Sequence, residues 1–460
     1  MVLHVDILIA EIGSTTTVVN AFKIKKEIRF LGQGYAPTTV LEGDVTRGLR
    51  AAISNLEESL GESITWDEMF ATSSAAGGLK MTVHGLVYDM TVKAAKEAAL
   101  GAGAVLRFVT AGNITETDLK TIERIRPNII LLAGGVDFGE KSTVLYNAKA
   151  LCNLSFRVPI IYAGNVAVRE EVKEILGEAG FKVTIAENVY PKIDRLNIEP
   201  TRRIIQKVFE EHIIKAPGME KISEMVTGPI HPTPYAVMQA AQLFYQKMGD
   251  VLVLDVGGAT TDVHSVTEGS EEINRLLIAP EPTAKRTVEG DLGVFVNSKN
   301  VIELIGIEEI QKEFGITEEE VYQNILPIPI SPLQVELITK LTDKAVETAV
   351  LRHVGTIRYM YGPTGRFSVA EGKDLTRIKW IIGTGGALTR LPKGKEILEK
   401  IKVDKVVREL LPSKNAEVLI DHDYIMAAIG VLSEKYPEEA FILLRKSLRL
   451  DRGDKIEPEN

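Results

Sequence analysis

Cysteine is nearly absent: Cys152 is the single one in 460 residues. That excludes an internal disulfide, a thiolate zinc site and an iron–sulfur cluster held by one chain, and it suits a reducing compartment. No run of ~18 apolar residues occurs, so no segment reads as a membrane-spanning helix. The opening Met1-Val2-Leu3-His4-Val5-Asp6 runs into a strand-like segment and lacks the basic, apolar character of a cleavable leader, so a cytoplasmic protein is the expectation. Basic excess is also lacking. With 54 Lys+Arg against 63 Asp+Glu the net charge is -9, which leaves no global footprint for nucleic acid. The histidines show no His-Glu-x-x-His or other metal-ligand spacing. Hydrophobic residues at 45% and charged residues at 25% are those of an ordinary soluble globular protein, and the length predicts two to four domains.

An internal repeat is present. Ile7-Leu8-Ile9-Ala10-Glu11-Ile12-Gly13-Ser14-Thr15-Thr16-Thr17-Val18-Val19 and Val251-Leu252-Val253-Leu254-Asp255-Val256-Gly257-Gly258-Ala259-Thr260-Thr261-Asp262-Val263 read alike. Each is an apolar strand, an acid, a β-branched residue, a glycine-led polar tip and a return strand. Glycines at Gly13 and at Gly257-Gly258 let backbone amides approach a ligand, and Ser14, Thr15, Thr16, Thr260 and Thr261 add hydroxyls around Ala259. Such a tip can cradle phosphate oxygens. Glu11 or Asp255 at the strand end can then hold a hydrated magnesium ion or orient water, with Asp262 as a further metal candidate. For one hairpin the plain alternative is turn chemistry, since acid-x-Gly ends many strands. Duplication in register favours the phosphate reading.

A third glycine-rich junction, Trp380-Ile381-Ile382-Gly383-Thr384-Gly385-Gly386-Ala387-Leu388-Thr389, leaves bare backbone against which a base or ribose can lie. Taken in order, the three motifs resemble the first phosphate, second phosphate and adenosine motifs of the actin-like ATPases. The resemblance implies an α/β fold of duplicated ribonuclease H-like lobes around an ATP cleft. Gly13 to Thr16 and Gly257 to Thr261 would hold phosphates, Gly383 to Gly386 the adenosine, and Asp255 and Glu11 the catalytic and magnesium-binding positions. Pro232 to Lys247, stopped by Gly249, reads as the connecting helix, and Asp423 to Leu432 as a second one with Ala427, Ala428 and Gly430 small enough for close contact.

Four further segments narrow the match: Ser73-Ser74-Ala75-Ala76-Gly77-Gly78-Leu79, Ala133-Gly134-Gly135-Val136-Asp137, Tyr162-Ala163-Gly164-Asn165 and Arg286-Thr287-Val288-Glu289-Gly290-Asp291-Leu292-Gly293. With the phosphate motifs they resemble the glutamate mutase L family. That resemblance implies an ATP-driven reactivating factor for adenosylcobalamin-dependent carbon-skeleton mutases or aminomutases. It implies such an enzyme as partner, alone or with a second reactivase subunit, and neither nucleic acid nor membrane. ATP and Mg2+ are the implied cofactors. Where the family normally carries aspartate this chain has Glu11, one methylene longer. Two rivals stand beside this reading: a small-molecule kinase or ATP-dependent hydrolase of the same fold, and a nucleotide-binding scaffold without turnover.

The expected organisation is a first lobe over 1–84, an inserted small α/β domain over 85–225, a connecting helix within 226–250, a second lobe over 251–435 and a charged tail over 436–460. Within the insertion, Asn128 to Ala133 and Val158 to Ala163 read as buried strands and Arg169 to Ala179 as a helix stopped by Gly180. Gly134 to Ser142 nearly spells a P-loop, but Glu140 separates Gly139 from Lys141-Ser142, so a strand-to-helix turn is the better reading, with a small-ligand or partner contact left open. Asp262-Val263-His264 approaches a cobalt-ligand pattern, but Thr267 stands where glycine is needed, and a satisfied strand histidine is expected. Glu289 and Asp291 either touch magnesium or close over the nucleotide, or Asp291 caps the next helix.

Overall fold

Two five-stranded sheets repeat one strand plan. The computed structural model describes residues 2–13, 16–39, 43–74, 79–213, 219–362 and 365–450. In the first sheet, β1 (Val2–Ile12), β2 (Thr16–Lys23) and β3 (Arg29–Pro37) form an antiparallel meander. The helix Thr46–Leu60 returns the chain so that β4 (Ser63–Ser73) pairs parallel to β1. Ile7 to Ala10 are all buried, which is why this strand reads as a continuous apolar run.

The chain then leaves for a separate sheet. β5 (Lys80–Gly85), β6 (Val105–Ala111), β7 (Ile129–Leu132), β8 (Ile160–Tyr162) and β9 (Val183–Ile185) are all parallel, in the order β6-β5-β7-β8-β9. This is a doubly wound arrangement. It takes β5 as a central strand, although Lys80 to His84 fall in the stretch assigned to the first lobe. The inner strands β7 and β8 and the helix Arg169–Glu178, followed by Gly180 at φ 87°, fall where the apolar pattern puts them.

β10 (Ile230–Pro232) then completes the first sheet beside β4, giving β10-β4-β1-β2-β3. The helix Thr233–Met248, ended by Gly249, leads to β11 (Val251–Val256), β12 (Thr261–Val266) and β13 (Ala284–Glu289), a second antiparallel meander. After the long helix Pro332–His353 and an excursion through the hairpin β14 (Thr356–Gly362) and β15 (Gly365–Glu371), β16 (Trp380–Thr384) and β17 (Glu417–Ile420) add parallel to β11. The order β13-β12-β11-β16-β17 reproduces that of the first sheet strand for strand. The fold is therefore the duplicated ribonuclease H-like lobe pair of the actin-like ATPases with an inserted α/β unit.

One core joins the two lobes. Ile7, Ile9 and Phe22 of the first sheet and Val251 and Val253 of the second pack on the helix Thr233–Met248 and the helix Met426–Ser433. At their crossing a Cβ on Gly430 would lie 1.7 Å from the Ala236 carbonyl oxygen, so only glycine permits this approach. The expected tail over 436–460 is corrected over its first part. Pro437–Ser447 is a helix burying Ala440, Leu443 and Leu444, and Leu448 and Leu450 are buried behind it. The charges are one face of an amphipathic helix; residues 451–460 lie outside the described residues.

Candidate functional site

Both hairpin tips close alike. Glu11 and Asp255 are each the last-but-one residue of their strands. The next pairs, Ile12 with Thr17 and Val256 with Thr261, end the ladders. Beyond them the Gly13 amide donates to the Thr16 carbonyl at 3.0 Å and the Gly257 amide to the Thr260 carbonyl at 2.9 Å. Ser14 and Thr15 lie outside the described residues.

The second tip can be followed group by group. Its carbonyls are turned into the protein: Gly257 accepts from the Val294 amide, Gly258 from Phe295 and Val296, and Ala259 from Asn297 Nδ2. Gly293 makes this packing possible, since a Cβ there would lie 2.3 Å from the Ala259 carbonyl carbon. The amides of Gly258, Ala259 and Thr260 donate to no described residue. Inward carbonyls with unpaired amides make a concavity suited to an anion. The Thr260 hydroxyl bonds Asp262 Oδ2 at 3.2 Å and that of Thr261 bonds the Leu292 carbonyl at 2.7 Å, so Thr261 braces the fold instead of facing a ligand.

The third motif adjoins the second strand end. Gly385, at φ 82°, has backbone so close to Asp255 that a Cβ would meet Asp255 Oδ1 at 2.5 Å. Gly386 opens onto free space. Gly383 and Thr384 serve the interior: a Cβ on Gly383 would strike Leu398, and the Thr384 hydroxyl donates to Asp421 Oδ2 at 3.0 Å.

Three carboxylates converge here. Burial, followed by the charges of Asp255 and Asp421, pushes Glu11 up to about 8. Burial, then Asp262 and Asp421, raises Asp255 to about 7 against the opposing pull of Arg286. Asp421 is fully buried, yet saturated: it accepts from Thr384, from the Ile425 and Met426 amides at 2.9 Å and from Ser447 at 2.5 Å. It fixes the start of the helix Met426–Ser433 while adding its charge to the cluster. Tyr424, at φ 52°, sends its phenol into the same field; the charge of Glu11, ahead of burial and of Asp255 and Asp421, holds it protonated. Sequence reasoning missed Asp421 and Tyr424. An acid directly after a short apolar strand, the pattern that flagged Glu11 and Asp255, was the available signal.

Other residues are engaged differently from expectation. Asp262 Oδ1 forms a 2.8 Å ion pair with the buried Arg286, which removes that oxygen from metal binding. Glu289 and Asp291 are both held by Arg352, at 2.6 and 2.8 Å, and Asp291 caps no helix: the next one begins after Asn297. Glu140 caps the helix Ser142–Leu151 through the Thr143 amide, the physical reason it interrupts the would-be P-loop. His264 is buried, but it is not satisfied: neither ring nitrogen has a hydrogen-bond partner among the described residues. Cation chemistry fits the cleft, because among the described residues two partly buried carboxyls beside a third lack any counter-cation except the arginine behind Asp262.

No helix among the described residues is long and apolar enough to cross a membrane. Among solved structures, this chain is similar to nucleotide-free acetone carboxylase (12% identity, 93% of this chain and 70% of that one, TM-score 0.38). It is also similar to a nucleotide-free diol dehydratase-reactivating factor (10% identity, 97% and 99%, TM-score 0.35). A model of the MutL protein family matches residues 7–448. "Protein MutL" of Clostridium tetanomorphum is 37% identical over 457 residues, covering 96% of this chain and 98% of that relative. Identity sustained across nearly the whole of both chains, together with that family match, makes this chain a member of the MutL protein family.

Proposed function

We propose that this chain is an ATP-dependent reactivating chaperone of an adenosylcobalamin-dependent mutase or aminomutase, driving release of damaged cobalamin from its partner. The observation that carries the nucleotide part is the pair of matched hairpin tips, one with its carbonyls turned inward and its amides unpaired, beside strand-end acids from both lobes. Family membership supports the partner.

In this reading the tips Gly13 to Thr16 and Gly257 to Thr260 hold phosphate oxygens, the second through the amides of Gly258, Ala259 and Thr260 while the Gly13 and Gly257 amides close the turns, and the bare backbone at Gly385 and Gly386 receives the adenosine. Glu11 and Asp255 hold Mg2+, which supplies charge neutralisation of the phosphates and lowers the pKa of bound water. Asp255 orients the attacking water. Glu11 and Asp255 belong to different lobes, so ligands gripped by both draw the lobes together. The open and closed states then present different surfaces to the partner, which is the differential affinity a nucleotide switch requires.

The test is magnesium-dependent ATP hydrolysis by the purified chain and by Asp255→Ala, then capture of the mutase in the presence of ATP or ADP. Hydrolysis lost in the variant, with partner affinity differing between nucleotides, supports the reading. Equal affinity in both states removes the mechanism, and turnover stimulated by a metabolite instead would favour a kinase.

A further inference from the structure

Arg286 is fully buried and bridges two bodies. From β13 its Nη2 donates to Asp262 Oδ1 at 2.8 Å, and its Nη1 donates to the Leu100 carbonyl at 3.1 Å. Leu100 lies in the last turn of the helix Lys93–Gly101, which belongs to the inserted unit. Asp262 in turn accepts from the Thr260 hydroxyl. Three hydrogen bonds therefore run from the second phosphate tip to the insertion: Thr260 to Asp262, Asp262 to Arg286, Arg286 to Leu100.

A second arginine fastens the same helix end from the other side. Arg202, in the helix Glu199–Ile213 of the insertion, donates through Nη2 to the Ala284 carbonyl of β13 at 2.9 Å and to the Glu97 carbonyl at 3.4 Å. Gly101 makes room for it, since a Cβ there would lie 2.2 Å from Arg202 Nε. Lys93 with Glu281 and Lys285 with Glu97 add ion pairs across this junction.

The junction is also where buried polar atoms go unpaired. Arg286 Nε, Arg202 Nε, Glu97 Oε2 and both ring nitrogens of His264, which faces Arg286 in the β12–β13 register, have no hydrogen-bond partner among the described residues. Each such atom has lost its water without gaining a partner, and several in one interface mark an arrangement that a small displacement can improve. Close-packed interfaces of this kind have discrete alternatives, not a continuum.

We infer that Arg286 is a positioning residue through which the nucleotide state of the Thr260 tip sets how tightly the helix Lys93–Gly101, and with it the inserted unit, is fastened to the second lobe. This rests on the nucleotide reading of the cleft. When a phosphate oxygen engages the tip, the Thr260 hydroxyl is drawn from Asp262, Asp262 is left to Arg286 alone, and the guanidinium's second contact, at Leu100, is strengthened or released. The insertion thereby becomes the output of the switch, and by reciprocity a partner bound to it alters nucleotide affinity by the same factor.

The test is amide hydrogen exchange over residues 93–101 and 199–208, without nucleotide and with Mg-ATP or Mg-ADP, in the wild-type chain, Arg286→Lys and Arg202→Lys. Lysine keeps a charge but lacks the rigid planar fork that reaches Asp262 from Nη2 and the Leu100 carbonyl from Nη1. In the wild type, exchange over 93–101 is expected to differ by ~5-fold or more between nucleotide states. In Arg202→Lys, remote from the cleft, nucleotide binding persists and that difference disappears; Arg286→Lys behaves alike. Arg202→Lys guards against Arg286→Lys failing to fold. Wild-type binding with no exchange difference over 93–101, or a difference preserved in Arg286→Lys, or in Arg202→Lys where Arg286→Lys does not fold, overturns the inference alone. Absence of nucleotide binding in the wild type overturns the reading of the cleft as well.

Discussion

Cation binding should depend steeply on pH, because Glu11 and Asp255 must shed protons before a divalent ion can use them. With Glu11 near 8 and Asp255 near 7, at pH 7 Glu11 is ~10% ionised and Asp255 ~50%, so ~5% of molecules carry both charges. At pH 9 the product is ~90%. Magnesium affinity should therefore rise ~20-fold from pH 7 to pH 9, equivalent to ~1.8 kcal/mol. Binding at pH 7 should also release ~1.4 protons per ion, ~0.9 from Glu11 and ~0.5 from Asp255. Isothermal titration calorimetry with magnesium alone, in buffers of different ionisation enthalpy, measures both quantities. Glu11→Gln should lower the release at pH 7 to ~0.5 protons. Affinity flat from pH 6 to 9, or full affinity with no proton release, would refute the placement of these carboxyls in one low-dielectric cluster.

The same raised carboxyls make the ligand-free fold less stable as pH increases. Their contribution is complete below the unfolded values near 4, is lost as pH rises through about 7 and 8, and thermal melts without magnesium should show that decline. Asp255→Ala should lower ATP hydrolysis at least ~100-fold while nucleotide binding persists, read by steady-state turnover beside equilibrium binding. Gly385→Ala should cost about 1–3 kcal/mol in backbone strain alone and push Asp255 aside, so a calorimetric melt and an ATP titration should both worsen. His264→Leu should raise stability by about 1 kcal/mol in urea unfolding, because it removes two buried nitrogens that have no partners.

What was legible in the sequence was local. The two hairpins and the helix Thr233–Met248 announce themselves within about 16 residues, through glycines and apolar spacing that need no distant partner. The sheet that β5 joins was not legible, because a parallel strand is defined by neighbours far away, here β6 and β7, with register partners such as Val105 and Ile129. Asp421 escaped because its four donors come from β16, from the helix Met426–Ser433 and its preceding residue, and from Ser447. The terminal helix was read by its charges, although Ala440, Leu443 and Leu444 stand at the three- and four-residue spacing of a buried face. Asp262 was legible as an acid near a phosphate tip, but its partner Arg286 is 24 residues away on another strand.

The duplication explains why the insertion couples to the second lobe. At the positions where β12 carries Asp262 and His264, β2 carries Val18 and Asn20, and where Arg286 faces His264 across the ladder, Gln33 faces Asn20. Each third strand thus sends one long polar side chain out of its own sheet. Gln33 donates to Asn20 at 2.8 Å, accepts from Arg390 at 2.6 Å and reaches the Asp423 and Tyr424 carbonyls, so it ties the first lobe to the second across the acid cluster. Arg286 donates to Asp262 and to Leu100, so it ties the second lobe to the insertion. The first link is a part-buried amide whose one charged partner, Arg390, is solvent-exposed, while the second is a fully buried ion pair. A charged link responds to a phosphate or a cation arriving nearby far more strongly than an amide does, because its interaction in low dielectric changes with every charge added. Closure can therefore be sensed at Gln33, but the signal that distinguishes nucleotide states must pass through Arg286, and replacing Gln33 should loosen the lobes without erasing the nucleotide-dependent exchange of the helix Lys93–Gly101.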